Sequence, residues 1–511
     1  MPPRRAALLA ILTGLVAAAV ALASAEVVAV FTGAGGSPLV AVGGFVIDIV
    51  PPGVKDAVIA LFGTGDKLVL LVSLGLAVAL LAAAAGLLEY RTPPLGVLLL
   101  AVVAGLGALA AVTRDGASGL AAAPSVAGMV AGAFVLRAAS ARLRGWEEDP
   151  RHGTTDRRSF LVLVGAAGAA AIVVGVGARV FTAASAAVTA VRDAVALPAA
   201  AAPASPVPAA AVLDDVEGIT SFVTPNAEFY RIDTALSVPS VDPAEWSLRI
   251  HGMVEEEVTL TWDELLALPL EEHLVTLSCV SNEVGGDLIG TALWLGYPIR
   301  ELLARARPLA GADMVLSRSI DGFTASSPLD VLQDEGRASI LAVGMNGEPL
   351  PVEHGFPVRM VVPGLYGYVS ATKWVTELKV TTFADDLAYW SSRGWTERGP
   401  IKVESRIDVP RQGQPVAAGT VAVAGVAWAP HTGISKVEVQ VDGGAWQPAR
   451  LAEAVTADTW VQWVYEWEAI AGDHVLLVRA TDSEGLTQTP DEAPPAPDGA
   501  TGWHLRTVTV G

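Results

Sequence analysis

The run MNGEPLPVEHGFPVR, at residues 345–359, places a histidine and an arginine five residues apart around Gly-Phe-Pro. Taken alone, the run favours an exposed loop in which His354 and Arg359 are salt-bridged to Glu353. The alternative is a ligand-binding loop, because arginine binds phosphate through two parallel hydrogen bonds and the histidine supplies a further donor. Residues elsewhere in the chain decide between the two interpretations.

Cys279 is the only cysteine of the 511 residues, and it directly follows the strand-like run VTLS at residues 275–278. A single cysteine excludes an internal disulfide, a thiolate-bound iron–sulfur cluster and a c-type haem. On its own, a cysteine at the end of a strand favours a small buried hydrophobic residue. The alternative is a thiolate ligand for a soft metal.

Short strands and helices are predicted around Cys279. The run WSLRIHG at 246–252 alternates as a strand does. The run LTWDELL at 260–266 predicts the beginning of a helix, since Thr261 stands three residues before Glu264 and the pair can form a capping box.

Taken together, several motifs resemble the molybdenum-binding domain of the sulfite oxidase family. They stand in the family's order, and the resemblance covers about residues 213–511. It implies an α+β, sulfite-oxidase-type molybdopterin-binding domain at 213–395. The motifs are TPN at 224–226 with FYR at 229–231, TLSCVSN at 276–282, WLGYP at 294–298, the run at 345–359, PGLYG at 363–367 and ATKWV at 371–375.

This resemblance implies a molybdenum–molybdopterin cofactor. The dithiolene sulfurs of the pterin bind the metal, and Cys279 would complete the soft-ligand set as metal ligand and catalytic residue. His354 and Arg359 would donate hydrogen bonds to the pterin and its phosphate. The cofactor-binding residues carried over from the family are Asn226, Tyr230, Arg231, Cys279, Ser319, His354, Arg359, Ser370 and Lys373.

The C-terminal part, residues 396–511, resembles the family's immunoglobulin-like domain. Its opening run is IKVESRID at 401–408, followed by the alternating runs VAVAGVAW at 421–428 and VEVQV at 437–441. Asp442 and Gly443 predict a hairpin turn. Strands at this spacing predict a β-sandwich. Because this module often mediates dimers in the family, the resemblance also implies that a homodimer can form.

The front of the chain has a different composition. The first 212 residues carry 14 Lys and Arg against 11 Asp and Glu, whereas the remaining 299 carry 19 against 42. Such an acidic C-terminal part disfavours nucleic acid as a partner. Residues 1–182 are predicted to be a membrane domain in contact with lipid. Five stretches are long and apolar enough to cross a bilayer: 6–25, 68–88, 92–113, 116–136 and 159–178.

The positive-inside rule orients these spans, because five of them leave the arginine cluster at 137–158 on the inner side. A sixth span at 27–47 would move that cluster outside. Residues 27–66 are therefore predicted to be an outer loop, either exposed throughout or re-entrant in part. The seven histidines all lie outside the spans, which excludes a haem held by paired histidines.

Five spans place the catalytic domain of this multi-pass protein on the extracytoplasmic side of the cytoplasmic membrane. The run RRSFL at 157–161 matches a twin-arginine export signal. The alternative is that Arg157 and Arg158 are only inner-face anchors. Residues 183–212 are rich in Ala and Pro and are predicted to be a flexible linker.

The predicted function is two-electron oxygen-atom transfer on a small oxo donor or acceptor, with electrons exchanged with a cytochrome or a quinone-linked partner. Pro225 and Glu283 stand where sulfite oxidases place cations or neighbours of cations. If Glu283 faces the pocket, it would repel the sulfite dianion, which favours a neutral sulfoxide or N-oxide. Arg231 or Arg318 could restore positive charge.

Two other classes of function stay open at this point. One is a non-catalytic, membrane-anchored interaction protein with a degenerate cofactor domain. The other is a transporter, which is disfavoured because the predicted spans lack charged residues at their centres.

Overall fold

The computed structural model describes residues 3–32, 37–50, 61, 66–113, 119–148, 153–182, 185–235 and 238–511. The chain divides into two compact units. The first comprises Met1–Ala187 with Ala235–Val238, and the second comprises Val188–Thr234 with Pro239–Gly511.

The first unit is helical in its described residues. Five of its helices are long and apolar enough to cross a membrane, in agreement with the five predicted spans. The helices are α1 (Pro3–Thr32), α2 (Pro38–Ile49), α3 (Asp66–Arg91), α4 (Leu95–Val112), α5 (Ala123–Glu148) and α6 (Gly153–Thr182).

Helix α1 packs against α3, α5 and α6. Small residues allow the backbones to approach closely, as is usual between apolar helices. A Cβ added at Gly14 would collide with the carbonyl oxygen of Ala82, and one added at Gly86 would collide with that of Ala10. The contact between α1 and α3 therefore depends on both glycines.

Residues 27–66, predicted to be an outer loop that is exposed throughout or re-entrant in part, are helical in much of their described part. Helix α1 continues to Thr32, and α2 occupies Pro38–Ile49 with Pro38 in its first turn. The 12 residues of α2 span only about 18 Å, less than the ~30 Å apolar thickness of a bilayer. An apolar run of this length can form a helix without crossing. Residues 33–36, 51–60 and 62–65 lie outside the described residues.

The second unit begins within α7 (Ser185–Ala194) and contains the strands of the chain's described part. One five-stranded sheet has the order β2-β1-β10-β5-β6, and a second has the order β3-β4-β7-β8 with β9 paired to β7. These strands are β1 (Ser247–Gly252), β2 (Val258–Thr261), β3 (Glu271–Ser278), β4 (Ile289–Pro298), β5 (Met314–Ser319), β6 (Thr324–Pro328), β7 (Ile340–Met345), β8 (Glu348–Pro349), β9 (Arg359–Val361) and β10 (Val375–Thr381).

Short helices connect these strands: α8 (Trp262–Leu266), α9 (Ile299–Ala306), α10 (Leu329–Gln333) and α11 (Gly367–Ser370). The predicted capping box is confirmed, because the Thr261 hydroxyl accepts from the Glu264 amide while the Glu264 carboxylate accepts from the Thr261 amide. The strand predicted before Cys279 is also confirmed, as β3 ends at Ser278.

Residues 404–510 form two four-stranded antiparallel sheets, with the orders β11-β12-β16-β15 and β14-β13-β17-β18. Both contribute to one hydrophobic core, in which Trp463 and Trp467 from the first sheet meet Val437 and Leu476 from the second. The strands are β11 (Glu404–Val409), β12 (Gly419–Trp428), β13 (Ile434–Val441), β14 (Gln447–Pro448), β15 (Arg450–Leu451), β16 (Val461–Ala469), β17 (Gly472–Asp482) and β18 (His504–Val510).

The prediction of a flexible linker at 183–212 is wrong for its described residues. The Arg192 guanidinium forms an ion pair with Glu348 (Nη2–Oε2 2.8 Å). The Ala201 amide donates to the Leu270 carbonyl, and the Ala202 carbonyl accepts from the Glu272 amide. A segment of Ala and Pro cannot build its own core, but its small side chains let its backbone lie along β3 and pair there. Residues 183–184 lie outside the described residues.

Candidate active site

Cys279 lies where β3 ends, at the lining of a cavity of about 130 Å³. Its side chain is buried, with 8% of the residue exposed. The backbone holds it in place, because its amide donates to the Leu288 carbonyl (2.9 Å) and its carbonyl accepts from the Asn282 amide (3.0 Å). Burial raises the pKa of the thiol, and hydrogen bonds from Ser281 oppose that rise.

Three basic residues, His354, Arg359 and Lys373, line the same cavity and are called the basic wall below. His354 ends a 3₁₀ turn, after which Gly355 has φ 114°. A Cβ on Gly355 would stand 3.0 Å from the Arg359 Cβ and 3.2 Å from the Lys373 Cβ. Glycine at this position therefore lets the chain reverse and brings the three side chains together.

Arg359 is a buried cation with 5% of the residue exposed. Its Nε donates to the Met360 carbonyl (3.3 Å), its Nη1 donates to the His354 carbonyl (3.2 Å), and its guanidinium lies 5.0 Å from the Trp294 ring centroid. Burial lowers its pKa to about 10. No carboxylate in the described ranges forms an ion pair with it. A buried cation without a counter-ion is costly, so the site favours an anionic ligand.

His354 is 3% exposed, and its Nε2 lies 3.3 Å from the Asn226 carbonyl oxygen. A carbonyl only accepts, so Nε2 carries the proton and Nδ1 is the unprotonated nitrogen. Burial, together with the charges of Arg359 and Lys373, lowers the pKa of His354 to about 4. The imidazole is therefore neutral at neutral pH. The sequence interpretation in which His354 and Arg359 pair with Glu353 in an exposed loop is wrong, because both are buried.

Lys373 is held by a carboxylate that the sequence did not reveal. Its Nζ lies 2.8 Å from Oδ2 of Asp233 and donates to the Glu353 carbonyl (3.0 Å). The same oxygen of Asp233 is 3.0 Å from Nε of Arg231. Burial lowers the pKa of Lys373 to about 8, although Asp233 opposes this shift. No motif marked Asp233, because a carboxylate two residues after an arginine is common on surfaces.

Six of the nine predicted cofactor-binding residues line the cavity: Tyr230, Cys279, Ser319, His354, Arg359 and Lys373. Burial raises the pKa of Tyr230, so its phenol stays protonated. Ser319 ends β5 and Arg359 begins β9, whereas the other four lie outside the strands. The fold brings the six together although they are up to 143 positions apart in the chain.

The other three predicted residues lie outside the cavity lining. The Asn226 Nδ2 donates to Glu348 (2.6 Å) and its Oδ1 accepts from Asn346 (2.8 Å), which joins the 224–226 segment to the 345–359 run. The Ser370 hydroxyl donates to the Tyr366 carbonyl (2.9 Å). The Arg231 side chain is 42% exposed and pairs with Asp233. Their predicted contacts with the cofactor stay predictions.

A second part of the lining is aromatic and was not predicted. It consists of Phe323, Tyr368, Trp390 and Trp395, called the aromatic wall below. The Trp395 ring is 5.8 Å from that of Tyr368 and 5.9 Å from that of Trp390, measured between centroids. The Tyr368 hydroxyl donates to the Thr396 carbonyl (2.7 Å), which fixes this ring.

The premise that Glu283 faces the pocket is wrong. Neither Glu283 nor Pro225 lines the cavity, and Glu283 is exposed. The turn after Cys279 directs it outward, since the Asn282 side chain accepts from the Leu288 amide (2.9 Å) and closes this loop on itself. Arg318 does not restore positive charge either, because it lies outside the lining, 3.7 Å from Glu377.

Comparisons with known proteins agree with this arrangement. Residues 235–390 match the family described as "Oxidoreductase molybdopterin binding domain". The chain is 31% identical over 336 residues to the mitochondrial sulfite oxidase of Macaca fascicularis and 30% identical to that of Homo sapiens. Each match covers 56% of this chain and 60% of the relative, so the chain spans about three-fifths of those enzymes' length.

A bacterial relative is covered more fully. The uncharacterized oxidoreductase YuiH of Bacillus subtilis is 32% identical over 158 residues, which is 31% of this chain and 76% of that protein. Among solved structures, the sulfane dehydrogenase SoxCD of Paracoccus pantotrophus superposes with a TM-score of 0.50 at 22% identity, over 57% of this chain and 82% of that one. The latter likeness concerns the fold alone. The single thiol and the buried arginine on one cavity agree with these matches. The chain therefore belongs to the sulfite oxidase family of molybdopterin-dependent oxidoreductases.

Proposed function

We propose that this protein is a membrane-anchored molybdenum-cofactor oxidoreductase that catalyses two-electron oxygen-atom transfer on a small substrate outside the cytoplasm. One observation carries the proposal: Cys279 and Arg359, a cation without an ion-pair partner among the described residues, open on the same cavity. A thiol suits a soft metal, and a buried guanidinium suits the phosphate of an organic cofactor.

The residues of the cavity fit such a cofactor. Cys279 would supply the protein's thiolate ligand, and Arg359 and Lys373 would hold the anionic part of the pterin. The His354 Nε2–H donates a hydrogen bond to the Asn226 carbonyl, so Nδ1 can only accept a hydrogen bond from the cofactor, and not donate one as the sequence motif suggested. The protonated phenol of Tyr230 can donate one. Ser319 would add a further hydrogen bond. When bound, molybdenum supplies the two-electron redox change and accepts or gives the oxygen atom.

The substrate class that we assign is a neutral oxo donor, a sulfoxide or an N-oxide. Reduction of a sulfoxide breaks its S–O bond and consumes two electrons and two protons, giving the thioether and water. The electrons would come from a separate redox partner, a cytochrome or a quinone-linked protein. Among the described residues, Arg359 and Lys373 are the lysine and arginine cations of the cavity lining. Both would hold the anionic part of the cofactor, so no further cation of the lining is left to bind a substrate dianion.

A non-catalytic interaction protein is the second candidate, and the basic wall disfavours it. A domain that no longer binds a cofactor would gain nothing from a buried arginine without a counter-ion. Desolvation of that arginine costs several kcal/mol. Substitution by an apolar residue would remove that cost.

The helices and arginines of the first unit support the proposed location of the protein. Five long apolar helices support a multi-pass membrane anchor. Arg157 and Arg158 are exposed near the beginning of α6, where an export receptor could read them. The double variant Arg157→Lys with Arg158→Lys keeps the charge, so it should strand residues 213–511 in the cytoplasm only if twin-arginine export is used. Protease accessibility in spheroplasts measures this.

We assign the two sheets of residues 404–510 to an immunoglobulin-like sandwich, a module that supports homodimers in this family. Light scattering on the purified protein distinguishes a dimer from a monomer.

Metal analysis tests the proposed function directly. Protein purified under full cofactor supply should contain about one molybdenum atom per chain. The Cys279→Ser variant, which is nearly isosteric, should keep the fold by circular dichroism and lose turnover. Zinc, iron or no metal in the wild-type protein, or wild-type activity in Cys279→Ser, would contradict the enzyme assignment.

A further inference from the structure

The rings of the aromatic wall are joined by contacts with one another and with a neighbouring ring. Beyond the contacts of Trp395 with Tyr368 and Trp390, the Tyr389 ring joins Trp390 (5.2 Å) to Phe323 (5.8 Å). The Tyr368 hydroxyl is fixed by Thr396, and the Trp395 amide donates to the Trp390 carbonyl (3.3 Å). Such a surface exists before a ligand arrives, which lowers the cost of binding.

Folding alone does not account for the exposure of these rings. Trp390, Trp395 and Phe323 are only half-buried, although large aromatic side chains gain most when they are covered. In contrast, Trp294, Trp428, Trp460 and Trp463 of the same unit are almost completely buried. The half-buried rings face a cavity, so an apolar ligand group would cover them.

The charges near the aromatic wall do not favour an anion. Arg393 lies 3.6 Å from the centroid of Tyr389, and Arg398 lies 4.5 Å from that of Phe383, and neither residue lines the cavity. Asp321 does line it, and its carboxylate accepts from the Phe323 amide (3.3 Å). A small dianion would therefore meet a carboxylate and aromatic rings on this side.

We propose that Trp390 and Trp395, together with Phe323 and Tyr368, determine substrate specificity by binding an apolar substituent of aryl size on a neutral oxo donor. This inference rests on the proposed function and names its substrate class as aryl or similarly bulky apolar sulfoxides. In the reaction, the S–O bond of the sulfoxide breaks and a one-electron donor such as reduced viologen supplies two electrons in succession. Two protons from solvent complete the thioether and water.

The first experiment compares methyl phenyl sulfoxide with dimethyl sulfoxide, using the full-length holoenzyme and reduced viologen. The wild type should show a kcat/KM for the aryl substrate at least tenfold above that for the methyl substrate, mainly through KM. In Trp395→Ala this ratio should fall to about one, whereas Trp395→Phe should keep most of it. The control is Trp446→Ala, which removes a half-buried tryptophan from the β-sandwich and should leave the ratio unchanged.

The second experiment measures binding without turnover. Methyl phenyl sulfone, which is not reduced, should quench tryptophan fluorescence of the holoenzyme, and Trp395→Ala should weaken the affinity of the enzyme for the sulfone at least tenfold.

In the first experiment the kcat/KM values for the two substrates are compared within each variant. A lower yield of active protein therefore does not change their ratio.

The outcomes separate the inference from the function on which it rests. Reduction of both sulfoxides with a ratio near one in the wild type, or an unchanged ratio in Trp395→Ala, overturns the inference and leaves the function intact. Sulfone binding that depends on Trp395, with no reduction of any sulfoxide, supports the apolar site and overturns the proposed reaction. Efficient oxidation of sulfite with no sulfone binding overturns both substrate assignments.

Discussion

The basic wall and the aromatic wall line the same cavity but are stabilised differently. His354 and Arg359 are buried and held by backbone carbonyls, and Lys373 is held by Asp233. In the aromatic wall, Tyr368 is buried and the other three rings are half-buried. The rings are joined by ring contacts, and the Tyr368 hydroxyl is held by the Thr396 carbonyl. Burying a charge is costly unless it is compensated, whereas a partly exposed ring loses only part of its burial free energy. Substitutions in the basic wall should therefore change cofactor retention and stability strongly, and substitutions in the aromatic wall should change these two properties little.

The largest effect is expected from Arg359→Met. Loss of the guanidinium should lower the molybdenum content per chain at least tenfold, since charge-assisted hydrogen bonds contribute about 1.5–3 kcal/mol each. The cofactor-free protein should become more stable, because an uncompensated buried cation is removed. Elemental analysis and urea unfolding measure the two effects. Arg249→Met, at an exposed ion pair, is the control. A normal molybdenum content would show that the basic wall does not bind the cofactor.

The second largest effect is expected from Gly355→Ala. Alanine is strained at φ 114°, and its Cβ would press on the Cβ atoms of Arg359 and Lys373. We expect a loss of about 1–3 kcal/mol in stability and a several-fold loss of cofactor. Gly311→Ala is the matched control, because Gly311 has φ 92° but open space around its Cβ position. Equal cofactor loss in both variants would attribute the effect to backbone strain alone.

A smaller effect is expected from the titration of Lys373. Its pKa is about 8 when buried, against an ordinary value of 10.5. Retention of an anionic cofactor should weaken as pH rises through about 8, because the wall loses a positive charge. In the cofactor-free protein the sign is reversed: protonation of the folded form is disfavoured, so stability should rise between about pH 8 and 10.5. The charged groups acting on Lys373 are Asp233, Arg359 and Arg231.

Two variants check this pH dependence. Lys373→Met should remove it from both cofactor retention and unfolding midpoints. Asp233→Asn should move the titration of Lys373 to lower pH, since the Asp233 carboxylate stabilises the protonated amine. Asp386→Asn, which breaks the more exposed pair with Lys379, is the control. A pH profile of Asp233→Asn identical to that of the wild type would exclude a role for this carboxylate.

The smallest effect is expected from Tyr368→Phe in the aromatic wall. It removes the hydrogen bond to the Thr396 carbonyl but keeps the ring, so stability should fall by about 1 kcal/mol and KM for a bulky sulfoxide should rise about twofold or less. Tyr297→Phe, whose hydroxyl accepts from Arg305 (3.1 Å) away from the cavity, is the control for loss of a hydroxyl. A loss of molybdenum in Tyr368→Phe would mean that the two walls are not independent.

Local patterns in the sequence determined the elements themselves. The five apolar helices, the capping box at Thr261, the strand before Cys279 and the two strands before Asp442 all follow from periodicity and turn residues, which act over a few neighbouring positions. The motifs also identified six of the residues that converge on the cavity, because they resemble a known family and because only one thiol is present.

Tertiary structure decided what those residues face. Whether Glu283 points inward depends on how the loop after Cys279 closes, and whether residues 195–212 are free depends on the edge of β3 that accepts them. Asp233 and the aromatic wall acquire their roles only when segments distant in the chain pack together. Side-chain direction in loops is set by packing and hydrogen bonds from elsewhere in the fold, and no local periodicity encodes it.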